Sequence, residues 1–86
     1  MQFEFNPEKS QKNKEKHGMD LAETQLLWND PNAISFPARS DDEERFALLA
    51  KTEGKHWVAF YTLREGRIRL ISVRRARKGE EEVYES

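Results

Sequence analysis

Three stretches between Arg45 and Arg75, RFALLAKT, HWVAFYTL and RIRLISVRR, are rich in β-branched and aromatic side chains. Only Glu53-Gly54-Lys55 and Arg64-Glu65-Gly66 separate them. Connections this short force neighbouring strands to run antiparallel, and a glycine in each supplies the positive φ that tight hairpins need. The chain is therefore built on a three-stranded meander. Ile68, Leu70, Ile71 and Val73 make the middle of the last strand apolar in both directions, which predicts an interior strand covered on both faces. Strict alternation puts Ile68, Leu70, Ser72 and Arg74 on one face and Arg67, Arg69, Ile71, Val73 and Arg75 on the other. Symmetric pairing about the second turn sets Tyr61 opposite Arg69 and His56 opposite Arg74.

Ahead of the meander, QFEF alternates as a short strand, and Asn6-Pro7 supplies a cap and a first helical residue. The helix this predicts over 7–17 carries no large apolar side chain and belongs on the surface, with Gly18 as its left-handed cap. Asp20 and Glu23 form a capping-box pair for a second helix over 20–28. Its apolar face is Leu21, Leu27 and Trp28 with Ala22 and Leu26, and Asn29-Asp30-Pro31 stops it. AISFPA reads as a strand that Pro37 confines to a sheet edge, SDDEE as an acidic loop, and the tail from Arg77 as a short frayed helix weakened by Gly79. The expected fold is one α+β domain spanning residues 1–86, β-α-α-β-β-β-β-α, with a mainly antiparallel sheet.

Composition narrows the function. Of the 86 residues, 36% are hydrophobic and 36% charged, against roughly 25% charged in ordinary domains, so one modest core is all the chain can build. A domain of this kind gains from a stabilising partner. With no cysteine there is no disulfide, thiolate metal site or cysteine nucleophile. No cluster has metal-ligand spacing, and no glycine loop would cradle a phosphate. Neither a membrane span nor a signal peptide is visible, which makes a cytoplasmic location the expectation and a membrane partner unexpected.

The formal net charge is −1, yet the charges are segregated. Residues 39–44 and 79–86 are acidic, whereas Arg64–Lys78 holds seven cations against one carboxylate, Glu65. Such a run attracts a polyanion whatever the total charge, and guanidinium forks match phosphate oxygens. Arg69 and Arg75 lie about 20 Å apart along a strand, too far to share one phosphate. The run is then a track or a pair of separate sites, unless the acidic tail folds back and neutralises it.

Four short motifs occur in one order: N-x-x-K-H-G at Asn13–Gly18, Asp30-Pro31 behind the second helix, E-R-F at Glu44–Phe46, and R-x-x-S-x-R-R-A at Arg69–Ala76. Together they resemble the BrnT family of type II toxin–antitoxin toxins over nearly the whole chain. The resemblance implies a RelE-like ribonuclease fold, RNA cleavage that arrests translation, no cofactor, and neutralisation by a BrnA-like antitoxin through which the complex binds DNA. Ala50 stands where the family tends to have glycine. Gly79-Glu80-Glu81-Glu82 stands where relatives are commonly basic.

Metal-independent RNA cleavage needs a base for the 2′-hydroxyl, an acid for the leaving 5′-oxygen, and cations for the phosphorane charge. The candidate catalytic residues are Lys16, His17, Glu44, Arg45, Arg69 and Arg74, with Arg67, Arg75 and Tyr61 as RNA-binding residues. Each has a plainer reading as well. His17 suits a helix terminus bonded to its last carbonyls, Glu44 and Arg45 suit an ion pair, and the arginines suit pairing with Glu80–Glu82. His56 reads as structural. Phe46, Trp57 and Tyr61 would stack on bases from an open face, or else form core. A non-catalytic nucleic-acid-binding or protein-interaction module on the same fold is the alternative function.

Overall fold

The computed structural model describes residues 1–39, 41 and 43–86, so the acidic loop lies partly outside the described residues. The elements run β1 (Phe3–Glu4), α1 (Pro7–His17), α2 (Leu21–Thr24) with a 3₁₀ turn at Gln25–Asn29, β2 (Ile34–Ala38), β3 (Arg45–Thr52), β4 (Lys55–Arg64), β5 (Arg67–Arg75) and α3 (Lys78–Glu85). This is the expected element order. One five-stranded sheet has the order β1-β5-β4-β3-β2, with β1 parallel to β5 and every other pair antiparallel. The strand Arg67–Arg75 is interior, as its two-sided apolar middle requires.

Both hairpins close through two residues of positive φ, Glu53-Gly54 (49° and 78°) and Glu65-Gly66 (51° and 77°). Their twist matches that of the flanking strands, and glycine accepts the second position without steric cost. Beyond the second turn the register departs from the symmetric expectation. Arg64 pairs with Arg67 and Thr62 with Arg69, but a bulge then skips Ile71, so Tyr61 faces Leu70 and Phe60 faces Ser72. Val58, not His56, lies opposite Arg74.

An extra residue exchanges the two faces of everything after it. Ile68, Leu70 and Val73 consequently share the face that carries the main core. Arg69, Ser72 and Arg74 follow their partners Thr62, Phe60 and Val58 onto the opposite face. The predicted grouping of Ser72 and Arg74 with Leu70 is thus incorrect. Alternation in the sequence carries no mark of the bulge, because Ile71 is as apolar as the residues around it.

Against the main face pack α1, α2 and the 3₁₀ turn. Leu21 and Leu27 are wholly buried and Trp28 is half-buried against the same core. Ala22 and Leu26 point outward instead, Leu26 with 52% of its surface exposed. The inner stripe runs Leu21–Thr24–Leu27, and Thr24 occupies it by giving its hydroxyl to the Asp20 carbonyl at 2.7 Å. Asp20 and Glu23 form the predicted reciprocal capping box.

The surface helix α1 has no apolar face to dock with, and two polar side chains hold it. Ser10 Oγ accepts from the Leu21 N–H at 2.9 Å. Asn13 donates to the Met19 carbonyl (2.9 Å) and the Val73 carbonyl (2.8 Å), and accepts from the Val73 N–H (3.2 Å). Since β1 pairs only with Ile68 and Arg69, the Asn13 amide replaces the missing strand farther along β5.

The second face is covered in part by α3, which is tied down more firmly than a frayed tail. Tyr84 packs on Ala47, Leu49 and Val58 and donates to Asp30 at 2.7 Å. His56 Nε2 meets Glu85 at 2.6 Å, His56 Nδ1 lies 3.4 Å from Glu81, and Lys51 lies 3.5 Å from Glu85. Pro37 stands on the outer strand β2, where the lack of an N–H blunts the free edge.

Candidate nucleic-acid interface

Two of the sequence motifs meet where α1 crosses the margin of β5. A depression there is lined by Lys9, Lys12, Asn13, Lys16 and His17 from α1 and by Ile71 and Ser72 from the bulge. Residues 9, 12 or 13, and 16 follow one another at helical spacing, so a single stripe of α1 faces the strand. The Asn13 bonds to Val73 fix that rotation. Gly18, at φ 85°, ends the helix just past His17 and returns its N–H to the Lys14 carbonyl at 2.9 Å. No carboxylate lines the depression, and among the described residues none of the three lysines is in an ion pair. Lys14, on the other side of the helix, is bonded to Glu23 at 2.7 Å and so joins α1 to α2.

Glu44 and Arg45 lie elsewhere. They line a second depression with Pro37, Ala38, Asp41, Glu43 and Phe46, sharing no residue with the first. The Glu44 carbonyl accepts from Thr62 Oγ1 at 2.6 Å. Arg45 Nε is buried without a hydrogen-bond partner among the described residues, 4.0 Å from Glu43. The six candidate catalytic residues therefore do not form one constellation.

The arginines of β5 divide by face. Arg75 pairs with Trp57 on the main-core side and lies over its ring, 5.4 Å from the centroid. It does not share a surface with Arg67 and Arg69, contrary to expectation, because the bulge reverses it. Arg69 is 3.5 Å from Glu4, and Arg67 is 3.8 Å from Glu4 and 3.3 Å from Gln2; these are loose, part-exposed contacts.

Arg74 differs. It forms a bidentate pair with Glu80 at 2.8 and 2.9 Å, and Glu80 also accepts from the Arg77 N–H at 2.7 Å. The Arg74 hydrogen bonds lead the forces that lower the Glu80 carboxyl from 4.5 to about 2. Here the acidic tail does fold back, and Arg74 anchors α3. Its guanidinium also lies 5.4 Å from the centre of the Phe60 ring.

Tyr61 is not placed to stack on a base. Only 7% of it is exposed, its ring packs edge-on against Trp28 at 5.1 Å, and its hydroxyl shares a 3.0 Å bond with Ser35. Phe46 and Trp57 lie on the same core face. The aromatics of the other face are Phe60 and Phe36, and sequence reasoning named neither. It also missed Lys9 and Lys12, although their spacing to Lys16 was a readable signal, and it named neither Asn13 nor Ser72 as a site residue. Among the described residues no three His, Asp or Glu side chains gather as a metal site.

The family model described as "Ribonuclease toxin, BrnT, of type II toxin-antitoxin system" matches residues 5–80 of the chain. The chain belongs to the BrnT family. That span contains both motifs that meet at the α1–β5 depression. A BrnT-family chain is the toxin half of a type II toxin–antitoxin pair, which implies an RNA target and an antitoxin partner. No curated protein matches the chain.

Proposed function

We propose that this BrnT-family chain is an endoribonuclease whose scissile phosphate sits in the α1–β5 depression. The observation that carries the reading is the composition of that depression. Three lysines and a histidine line it together with Ser72, with no carboxylate among the lining residues. Anionic backbone is drawn to such a surface.

Cleavage proceeds by attack of the 2′-oxygen on the adjacent phosphorus. A new O–P bond closes a cyclic phosphate while the bond to the 5′-oxygen breaks. His17 removes the 2′-proton, since imidazole is the side chain suited to exchanging protons near neutral pH. Lys16 supplies the proton to the departing 5′-oxygen. Lys9 and Lys12 balance the charge on the non-bridging oxygens, to which Ser72 donates a hydrogen bond. The neutralising partner is a BrnA-like antitoxin through which the complex binds DNA.

Induced expression without an antitoxin, with 5′-ends of cellular transcripts mapped by primer extension, tests this reading. Growth should stop and new ends should appear with the wild-type chain. With His17→Ala both should vanish, while circular dichroism and urea midpoint stay unchanged. A wild-type chain that is folded yet leaves transcripts intact refutes it, and so does a His17→Ala variant that cuts as before.

A further inference from the structure

The half of the second sheet face that α3 leaves uncovered has a composition unlike the rest of the surface. Strand pairing sets Phe36, Ala47, Phe60 and Ser72 side by side on neighbouring strands, β2 through β5. Ala47 is fully buried, Phe60 half-buried, and Phe36 has 37% of its surface exposed. Phe36 packs into neither core cluster. One step along the strands, Ala38 pairs with Arg45 and Thr62 with Arg69, so both arginines border the aromatic row. Their side chains are 41% and 32% exposed. At its β5 end the row reaches Ser72, which also lines the lysine depression.

We infer that this face is a stacking platform for unpaired RNA bases, with Phe36 and the Arg74 guanidinium that lies over Phe60 under the bases and Arg45 and Arg69 beside the backbone. The inference rests on the ribonuclease reading above and deepens it by stating the form of the substrate. Ser72 is the junction. A strand whose phosphate lies in the lysine depression passes Ser72 and reaches Phe60 one strand spacing away, roughly 5 Å. Duplex RNA cannot use this surface, because its bases are already stacked inside the helix, whereas single strands present open base faces to aromatic rings. Continuity of the row with the lysine depression through Ser72 favours nucleic acid as the occupant over an apolar protein segment. The platform also accounts for an exposed phenylalanine on a chain with few apolar side chains to lose.

The test replaces Phe36 by Leu, which keeps apolar area, and by Tyr, which keeps the ring. The probes are a labelled single-stranded 2′-O-methyl oligoribonucleotide, which cannot be cleaved, and the same strand annealed to its complement. Wild type and Phe36→Tyr should bind the single strand at least about tenfold more tightly than the duplex. Phe36→Leu should lose about fivefold or more on the single strand and nothing on the duplex. Urea midpoints of both variants should match wild type.

Equal single-strand affinity for the Leu variant overturns the platform. An effect of Phe36→Leu confined to neutralisation by co-expressed antitoxin overturns it too, and makes the face a protein surface. The two proposals fail separately. Cleavage by wild type with an unchanged KM for the Leu variant removes the platform and leaves the ribonuclease. The Tyr and Leu binding pattern in a chain that does not cut RNA removes catalysis and leaves the platform.

Discussion

Asn13→Ala is the substitution with the largest consequence that sequence inspection would overlook, since Asn13 sits on a polar surface helix. Its amide is 8% exposed and makes three hydrogen bonds, two to the backbone of Val73 and one to the Met19 carbonyl. Each contributes on the order of 1 kcal/mol net, and leaving the buried Val73 N–H and carbonyl unpaired adds desolvation cost. Better helix propensity of alanine returns about 0.5 kcal/mol. The expected loss is therefore about 3 kcal/mol, a large part of the roughly 5–15 kcal/mol that holds a small domain together. Urea unfolding followed by tryptophan fluorescence should show the midpoint falling by about 2 M at a typical slope for this size. Asn13→Asp should be no better, because it keeps the acceptor for Val73 but turns a carboxylate towards two carbonyls. A loss below about 1 kcal/mol for both variants, judged against ordinary single hydrogen bonds, would refute the reasoning that this amide substitutes for a strand.

Two further outcomes follow from the ties that hold α3. The Glu80 carboxyl, lowered from 4.5 to about 2 chiefly by Arg74, adds stability that is complete above pH 4.5 and is lost as pH falls towards 2. Its full shift corresponds to about 3 kcal/mol, and partial exposure of the pair reduces this to about 1–2; Glu80→Gln should flatten the acid limb of a stability–pH curve, and an unchanged limb refutes the assignment. The Tyr84 phenol, raised to about 12 first by its bond to Asp30, adds stability that is complete below pH 10 and lost as pH rises to 12. Tyr84→Phe should remove that alkaline dependence at a neutral-pH cost of about 1 kcal/mol in urea unfolding, because Asp30 keeps its bonds from the Lys51 and Asn32 N–H groups.

The parts of the fold written in local chemistry were legible. Asn6 and Pro7 start α1, Gly18 ends it, Asp20 and Glu23 box the start of α2, and each hairpin has its glycine. Each of these signals acts within a few residues. What was not legible depends on a partner distant in sequence. The bulge at Ile71 answers to the β4 partner, so no feature of β5 alone reveals that Ser72 and Arg74 change faces. The same limit misdirected the choice of aromatics. Phe46, Trp57 and Tyr61 are core, whereas Phe36 and Phe60 have the parity of the outer face. Hydrophobic patterning was equally blind to α1, which is attached through Ser10 and Asn13.

Charge explains why the candidate site lies on α1 as much as on the arginine-rich strand. Counting along the sequence, β5 and its flanks form the most basic stretch, and α1 looks like an ordinary solvated helix. In three dimensions the carboxylates are distributed unequally. Glu80 holds Arg74, Glu81 and Glu85 approach His56, Glu85 also approaches Lys51, and Glu4 stands near Arg67 and Arg69. Arg75 leans over Trp57 on the far side of the sheet. Lys9, Lys12 and Lys16 line a depression that no carboxylate enters. Attraction for a phosphate depends on charge left uncompensated at short range, since the Debye length near physiological salt is only about 8 Å. By that measure an anion site lies beside Ser72, where the bulge brings a serine of the arginine strand to the lysines of the helix.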